Sequence, residues 1–497
     1  MQKIIDLANA TRVYDVAIDT PLSVAHQLSA RSKNTIYLKR EDKQVVHSFK
    51  LRGAYQKISG LSAEQAAKGV VASSAGNHAQ GVALSASKLG IESVIVMPLS
   101  TPKIKVNAVE QLGGKVVLHG DVYDDAFAYA KQLEEQQDLV FIHPYDDIEV
   151  IAGQATVAKE LLKENPKIDK VFVPVGGGGL IAGMAAYIKH YAPNIQVIGV
   201  EPQDSPTLYQ ALKNGERTTL PEVGRFADGV AVKQIGEVTY PIAKKFVDEV
   251  VLVSNDEICA AIKDIYEDVR SIAEPAGALA TAGLKKYIEK NAIENEHLVA
   301  VISGANVNFD RLRYISERAD LGEHNEAIIA ATIDEKPGSF LKFCELLDNH
   351  SITEFNYRYT PSNQARIFVG VALSEGLNEK QALIDRLSAS FDILDMSDNS
   401  IAKTHIRYMV GGRADVSNEV LYRFEFPERP GALLDFLKKI GSNWNISLFH
   451  YRNHGADFGR VLIGLQVDDV HSIERSFDEL GYFYQNETDN KAYQYFL

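Results

Sequence analysis

The sequence predicts a mostly parallel α/β fold with helices on both faces of the sheet, followed by a pair of small α+β modules. Three observations carry this. From about residue 30 to 320, short apolar β-rich runs alternate with helical patterns. After about residue 322 that alternation stops. An internal repeat then begins, with Pro-Gly pairs at 337–338 and 430–431 in matching surroundings.

In the alternating part, strands are predicted at Tyr37–Lys39, Gly69–Ala72, Ser93–Met97, Lys115–Leu118, Val171–Val175, Gln196–Val200 and Leu298–Ile302. Helical patterns at Asn77–Leu89, Pro102–Gln111 and Leu180–Tyr191 lie between them. In sheets of this kind ligands bind beyond the carboxyl ends of the strands. The uncharged stretch from Val171 to Ile188 is long enough to raise the question of a membrane span. Pro174 and four consecutive glycines inside it favour a strand, a loop and a helix instead.

In the repeat, Asp334-Glu335-Lys336-Pro337-Gly338-Ser339-Phe340-Leu341 matches Pro427-Glu428-Arg429-Pro430-Gly431-Ala432-Leu433-Leu434, 93 residues on. Asn356-Tyr357-Arg358 matches His450-Tyr451-Arg452, 94 residues on, so one residue is inserted between the two matches. Each copy reads strand, Pro-Gly turn, amphipathic helix, strand. Phe340, Leu341, Phe343 and Leu347 form the apolar face of the first helix, and Leu433, Leu434, Phe436 and Ile440 that of the second. Two copies are too few for a solenoid. The polar segment Ser397–Ser417, with Gly411-Gly412, is predicted to join the modules.

Composition excludes several classes. The chain has 497 residues, more than one core holds, and its 45% hydrophobic and 24% charged content is ordinary for a soluble globular protein. A formal net charge of −14, with no basic run, argues against nucleic-acid binding. Only Cys259 and Cys344 are present, which suits a reducing cytosol and leaves no disulfide framework. The start, Met1-Gln2-Lys3-Ile4-Ile5-Asp6, has no apolar core of a signal peptide. A cytoplasmic protein without a membrane partner is expected. No metal-ligand spacing is found.

The most informative residue is Lys50, in Ser48-Phe49-Lys50-Leu51-Arg52-Gly53-Ala54. A lysine after an aromatic residue, opening a helix, suits covalent capture of an aldehyde cofactor. Partial desolvation lowers an ammonium pKa and leaves more amine neutral and nucleophilic. Taken alone, such a lysine is a solvated surface group. Three further segments change that reading. Gly176-Gly177-Gly178-Gly179 stands between the apolar run Val171–Val175 and the helical Leu180-Ile181-Ala182-Gly183-Met184. Glycines let backbone N–H groups converge on a phosphate, and the helix N-terminus adds partial positive charge. No Lys-Ser/Thr follows, so this is no ATPase loop, and Ile181 breaks the dinucleotide spacing.

Ser73-Ser74-Ala75-Gly76-Asn77-His78 also joins a strand end to a helix. Its N–H groups can hold a carboxylate and Asn77 can reach a ring oxygen, or Ser74 or Asn77 simply caps the helix. Ser303-Gly304-Ala305-Asn306 follows another strand; Ser303 can donate to a pyridine nitrogen, or the segment is an ordinary turn. Glu274-Pro275-Ala276-Gly277-Ala278 either brings a carboxylate to the ring or only starts a helix.

These segments, in this order, resemble the fold type II pyridoxal 5'-phosphate enzymes. With the two C-terminal modules, the whole chain resembles the biosynthetic threonine dehydratase (threonine deaminase) family, and Phe226-Ala227-Asp228-Gly229-Val230-Ala231-Val232 strengthens the likeness. The resemblance implies two parallel-sheet lobes in a catalytic domain over residues 1–320. ACT-like regulatory modules would follow over 325–397 and 418–490. It implies dehydration and deamination of threonine, with serine as an alternative substrate. Lys50 would hold the cofactor and carry the Cα proton. Asn77 would contact the ring hydroxyl, and Gly176, Gly177, Gly178, Gly179 and the Leu180 amide the phosphate. Ser303 would contact the ring nitrogen, weakening the electron sink and discouraging transamination. Ser74, Ala75, Gly76, Asn77 and His78 would hold the substrate carboxylate.

Related serine racemases place a serine where this chain has Ala75, which argues for elimination rather than racemisation. In the family, isoleucine inhibits, valine opposes it, and the assembly is a homotetramer. Pro337, Gly338, Phe340, Tyr357, Pro430 and Gly431 lie where an effector would dock, or are turn and core residues. An amino-acid sensor with an inactive catalytic half, and a nucleotide-binding enzyme, are the readings from other classes. The intact Lys50 and glycine loop count against the first, and the incomplete nucleotide signatures against the second.

Overall fold

In the computed structural model the alternating half of the chain builds two sheets and the repeat half a third. The structure describes residues 1–497 apart from 100, 165–166, 225, 310, 323–324, 337, 349, 359–362, 375, 400–401, 403–415, 417, 428–431, 441–443, 453–457, 468–469, 481 and 491–497. Two units result, Met1–Ala319 and Asp320–Leu497.

The first unit contains β1 (Leu22–Val24), β2 (Thr35–Arg40), β3 (Val70–Ser73), β4 (Ser93–Met97), β5 (Lys115–Leu118), β6 (Val140–Phe141), β7 (Lys170–Pro174), β8 (Gln196–Pro202), β9 (Glu249–Val253) and β10 (His297–Ile302). Each strand predicted above is present, its ends displaced by at most two residues. One sheet has the order β1-β2-β10-β7-β8-β9, parallel except for β1. The other is parallel throughout, in the order β5-β4-β3-β6.

Both faces of the larger sheet are covered, which is why β7, β8 and β10 read as continuous apolar runs. Val171, Val173, Val197, Val299 and Val301 pack with the helices Ile148–Glu164 and Gly179–Tyr191. Phe172, Ile198, Val200, Leu298 and Ala300 face the opposite way, against Asn255–Val269 and Pro275–Asn291. The stretch from Val171 to Ile188 is thus strand, loop and helix. Among the described residues, no helix is long and apolar enough to cross a membrane.

The helix Lys50–Ile58 lies between Asn77–Lys88 and Ile148–Glu164. Its approach is close enough that a Cβ on Gly153 would come within 2.5 Å of the Arg52 carbonyl oxygen. Arg52 locks this helix from below. Its guanidinium is fully buried and binds Glu41 (2.7 and 2.8 Å), Glu160 (2.5 and 2.9 Å) and Thr156 Oγ1 (3.0 Å). Lys39, also fully buried, reaches Glu160 at 2.8 Å. Buried charges of this kind are tolerated only when paired and hydrogen-bonded. The two cations and two carboxylates meet that condition.

The second unit contains β11 (Glu326–Asp334), β12 (Ile352–Arg358), β13 (Gln364–Ala372), β14 (Asp392–Asp395), β15 (Glu419–Pro427), β16 (Asn445–Arg452), β17 (Phe458–Gln466) and β18 (Phe483–Asn486). Helices Ser339–Leu347 and Leu377–Ser388 in the first half correspond to Ala432–Ile440 and Val470–Leu480 in the second. The halves share one antiparallel sheet, β14-β11-β13-β12-β16-β17-β15-β18, joined by β12 and β16. At the junction Asn356 pairs with His450, its own counterpart in the repeat. The repeat is therefore a structural pseudo-twofold. Phe340, Phe343, Phe355, Phe436 and Phe449 belong to one core that both halves share. Of the joining segment Ser397–Ser417, most lies outside the described residues, Gly411 and Gly412 included.

Candidate active site

A cleft of about 500 Å³ opens in the first unit at the carboxyl ends of β3, β7 and β10. Lys50, Asn77, Gly176, Gly177, Gly178, Gly179, Leu180 and Ser303 all line it. Residues far apart in sequence are brought together because each follows a strand or opens a helix at the same edge of the sheets. The Lys50 and Ser303 segments are tied directly: Ser48 bridges Gly304, and the Phe49 N–H donates to the Ser303 carbonyl at 3.2 Å.

Lys50 Nζ donates to the Pro144 carbonyl at 3.0 Å and lies 5.3 Å from the Phe49 ring centre. Burial of the ammonium lowers its pKa to about 8, against a smaller upward pull from Glu274. Glu274 is the one acid among the described lining residues. Burial pushes its carboxyl up to about 7, opposed by the hydrogen bond that Asn77 Nδ2 donates to Oε1 at 2.6 Å. Glu274 also precedes the first residue of a helix, with no capping hydrogen bond from its side chain, so the carboxylate serves the cleft and not the helix end.

The glycine loop is shaped as a cradle. Gly178 adopts φ +91°, a conformation open to glycine, and precedes a helix that no side chain caps. Its first-turn N–H groups are therefore available to an anion. A Cβ on Gly177 would sit 2.3 Å from the Tyr145 ring, so no larger residue fits beneath that tyrosine. Thr239 Oγ1 donates to the Gly177 carbonyl at 2.7 Å, and Thr207 Oγ1 to the Gly176 carbonyl at 3.2 Å. These bonds engage the loop carbonyls from the protein side.

Of the Ser74–His78 loop, Asn77 lines the cleft while Ser74, Ala75 and Gly76 stand partly exposed beside it. Gly76 caps the helix start by position only; neither Ser74 nor Asn77 caps it by a side-chain bond. Ser74 Oγ instead accepts from the Gly76 N–H at 3.2 Å. His78 is buried, with Nε2 2.8 Å from the Ile142 carbonyl, and burial drives its pKa to about 3. It is neutral there. Ser303 Oγ donates to the Ala276 carbonyl at 3.3 Å.

Sequence reasoning missed Pro144, Tyr145, Gln154 and the two threonines. None carries a local motif: Pro144, Tyr145 and Gln154 line the cleft from other elements, and the threonines act on it through the glycine loop. Gln154 is nearly fully buried and its Oε1 has no partner among the described residues.

The second unit holds another cavity, of about 420 Å³, lined by Glu335, Gly338, Phe340, Leu437, Trp444 and Ile446 among others. Glu335 Oε1 accepts from Tyr357 at 2.6 Å, and burial raises the carboxyl pKa. Its Oε2 is buried with no partner among the described residues. Gly338, at φ +88°, starts the helix Ser339–Leu347 without a side-chain cap. Pro337, Pro430 and Gly431 lie outside the described residues.

Comparisons with known proteins agree with this chemistry. Residues 13–304 match the pyridoxal-phosphate dependent enzymes, and residues 317–406 and 410–497 match the C-terminal regulatory domain of threonine dehydratase. The chain is 56% identical over 493 residues to an L-threonine dehydratase biosynthetic IlvA of Pasteurella multocida, covering 98% of this chain and 96% of that one. It is 53% identical over 488 residues to the Escherichia coli protein of that name, covering 98% and 95%. The structure of processed threonine deaminase isoform 2 from Solanum lycopersicum superimposes with a TM-score of 0.64 at 49% identity, covering 64% of this chain and 88% of that chain.

Proposed function

The chain belongs to the biosynthetic threonine dehydratases, within the pyridoxal-phosphate dependent enzymes, and from that premise we propose how its cleft deaminates L-threonine to 2-oxobutanoate and ammonia, the first step of isoleucine biosynthesis. The observation that carries the reading is the desolvated Lys50 facing a glycine cradle, Asn77 and Ser303 in one cleft. The site fits the cofactor: the uncapped helix start after Gly178 suits a phosphate, and Tyr145 packed against Gly177 leaves room for backbone alone in the cradle.

Pyridoxal phosphate, when bound, supplies the electron sink that makes an amino acid's Cα proton acidic. The N–H groups from Gly176 to Leu180 would hold its phosphate, Asn77 its ring hydroxyl and Ser303 its ring nitrogen. The Ser74–His78 loop would hold the substrate carboxylate beside an uncapped helix start, through N–H groups other than those of Ser74 and Gly76, which donate to the Val96 carbonyl and to Ser74 Oγ. Lys50 Nζ would hold the cofactor and take the Cα proton, a task helped by its lowered pKa. Ala75 offers no hydroxyl to the second face of Cα, so Lys50 would be the one proton carrier at Cα, and the proton it takes would pass to the departing β-hydroxyl, which leaves as water. Phe49, Tyr145 and Val230 wall the cleft against solvent.

The cavity beside Glu335 supports an effector reading for the second unit. Its buried carboxylate oxygen suits an ammonium, the helix start at Ser339 a carboxylate, and Phe340, Leu437 and Ile446 an aliphatic side chain. Isoleucine is the inhibitor proposed to bind there, with valine opposing it. A cytoplasmic homotetramer, the state expected from the family resemblance, completes the reading.

The test is keto-acid release by the purified holoenzyme, with threonine and serine compared and isoleucine added to each. Faster turnover of threonine with inhibition by isoleucine is expected. A preference for serine would redirect the substrate assignment, and release from neither would end the reading.

A further inference from the structure

Asn77 donates to Glu274, but its amide is set from the other end. Asn306 Nδ2 donates both to the Val46 carbonyl at 2.8 Å and to Asn77 Oδ1 at 2.7 Å. A main-chain carbonyl only accepts, so it determines which end of Asn306 faces it. The amino group of Asn306 then meets Asn77, which must answer with oxygen. The amino group of Asn77 is left pointing to Glu274 and to the cleft.

Glu274 is consistent with this polarity. Its carboxylate accepts from Asn77 Nδ2 and lies against Gly304, where a Cβ would stand 2.5 Å from Oε1. One Asn77 N–H is thus taken, and the second is free for a cleft ligand.

We propose that Val46, Asn306 and Glu274 form a polarity relay that holds Asn77 as an obligatory hydrogen-bond donor toward the cofactor's ring oxygen. Asn306 and Glu274 are positioning residues for this contact: they act through Asn77. The proposal rests on the reading that Asn77 contacts that oxygen. A donor there favours the anionic ring oxygen, so its loss changes the electronic form of the bound cofactor as well as the rate.

The test uses holoenzyme and reads the ratio of visible to near-ultraviolet cofactor absorbance. Asn306→Asp keeps the shape but presents only acceptors, so Asn77 turns its amino group to residue 306. The ratio is expected to change by about fivefold, the factor that one hydrogen bond of ordinary strength carries. Asn306→Ala, which leaves Glu274 alone to hold the amide of Asn77, is expected to change it less and in the same direction. Asn77→Ala separates the two ideas. If it changes the ratio while both folded Asn306 variants match the parent, the relay is wrong. If Asn77→Ala itself matches the parent, the contact with the ring oxygen is wrong.

Discussion

Thr239 Oγ1 donates to the carbonyl of Gly177 at 2.7 Å, from a helix 62 residues further along the chain. Thr207 does the same for Gly176. A four-glycine loop has the freedom to collapse in many ways, and two hydroxyls restrict it to one. Thr239→Val keeps the shape and removes the donor. It is expected to weaken cofactor binding by about 0.5–1.5 kcal/mol, the net worth of one hydrogen bond. Titration of apoprotein with cofactor, followed by visible absorbance, measures this. Thr239→Ser should behave as the parent.

Lys50→Ala should remove both the visible absorbance of the bound cofactor and the turnover of threonine. Cofactor phosphate can still occupy the glycine cradle, so binding without the covalent band is the expected state. Turnover equal to the parent's would take Lys50 out of the chemistry.

The pKa of about 8 for Lys50 has a kinetic signature. Only the neutral amine attacks an aldehyde. Capture of the cofactor by apoprotein should therefore accelerate about tenfold per pH unit below that value and level off above it. Stopped-flow absorbance from pH 6 to 10 follows this. A rate still climbing at pH 10 would mean an ordinary, solvated lysine.

Glu160 is shared by Arg52 and Lys39, all three fully buried. Glu160→Gln leaves both cations underpaired and should cost about 3–5 kcal/mol of stability. Glu164, whose side chain is 35% exposed and 3.7 Å from Lys39, is the comparison. Glu164→Gln should cost under about 1 kcal/mol. Denaturant midpoints of the two holoenzyme variants decide the point.

Glu335→Gln in the full chain removes the charge that an effector's ammonium would meet. About tenfold more isoleucine should then be needed for half-inhibition, the effect of losing one charge-assisted bond of about 1.5 kcal/mol. An unchanged isoleucine response would place the effector elsewhere.

Much of this was legible in the chain itself. Strands β7, β8 and β10 announce themselves as apolar runs because both faces are buried. Lys50, the glycine loop and Ser303 sit at strand ends or helix starts, where short motifs are local. The repeat is visible because Pro-Gly turns and aromatic positions recur. What stayed hidden has a common cause. Asn306 is part of a recognisable turn, yet its bond to Asn77 spans 229 residues. Tyr145, Thr239 and Glu160 matter through partners distant in sequence, and no local periodicity encodes a distant partner.

The sequence by itself determined the alternation of elements, the glycine cradle, the lysine and the repeated module. These depend on local backbone preference and on which face of each element is apolar. The tertiary structure alone decided the ionic properties and polarity of the site. Burial set the ammonium of Lys50 near 8 and the carboxyl of Glu274 near 7. A single main-chain carbonyl, Val46, set which end of Asn77 faces the cleft. Both effects arise from desolvation and from fixed dipoles a few ångströms away, and those exist only once the chain has folded.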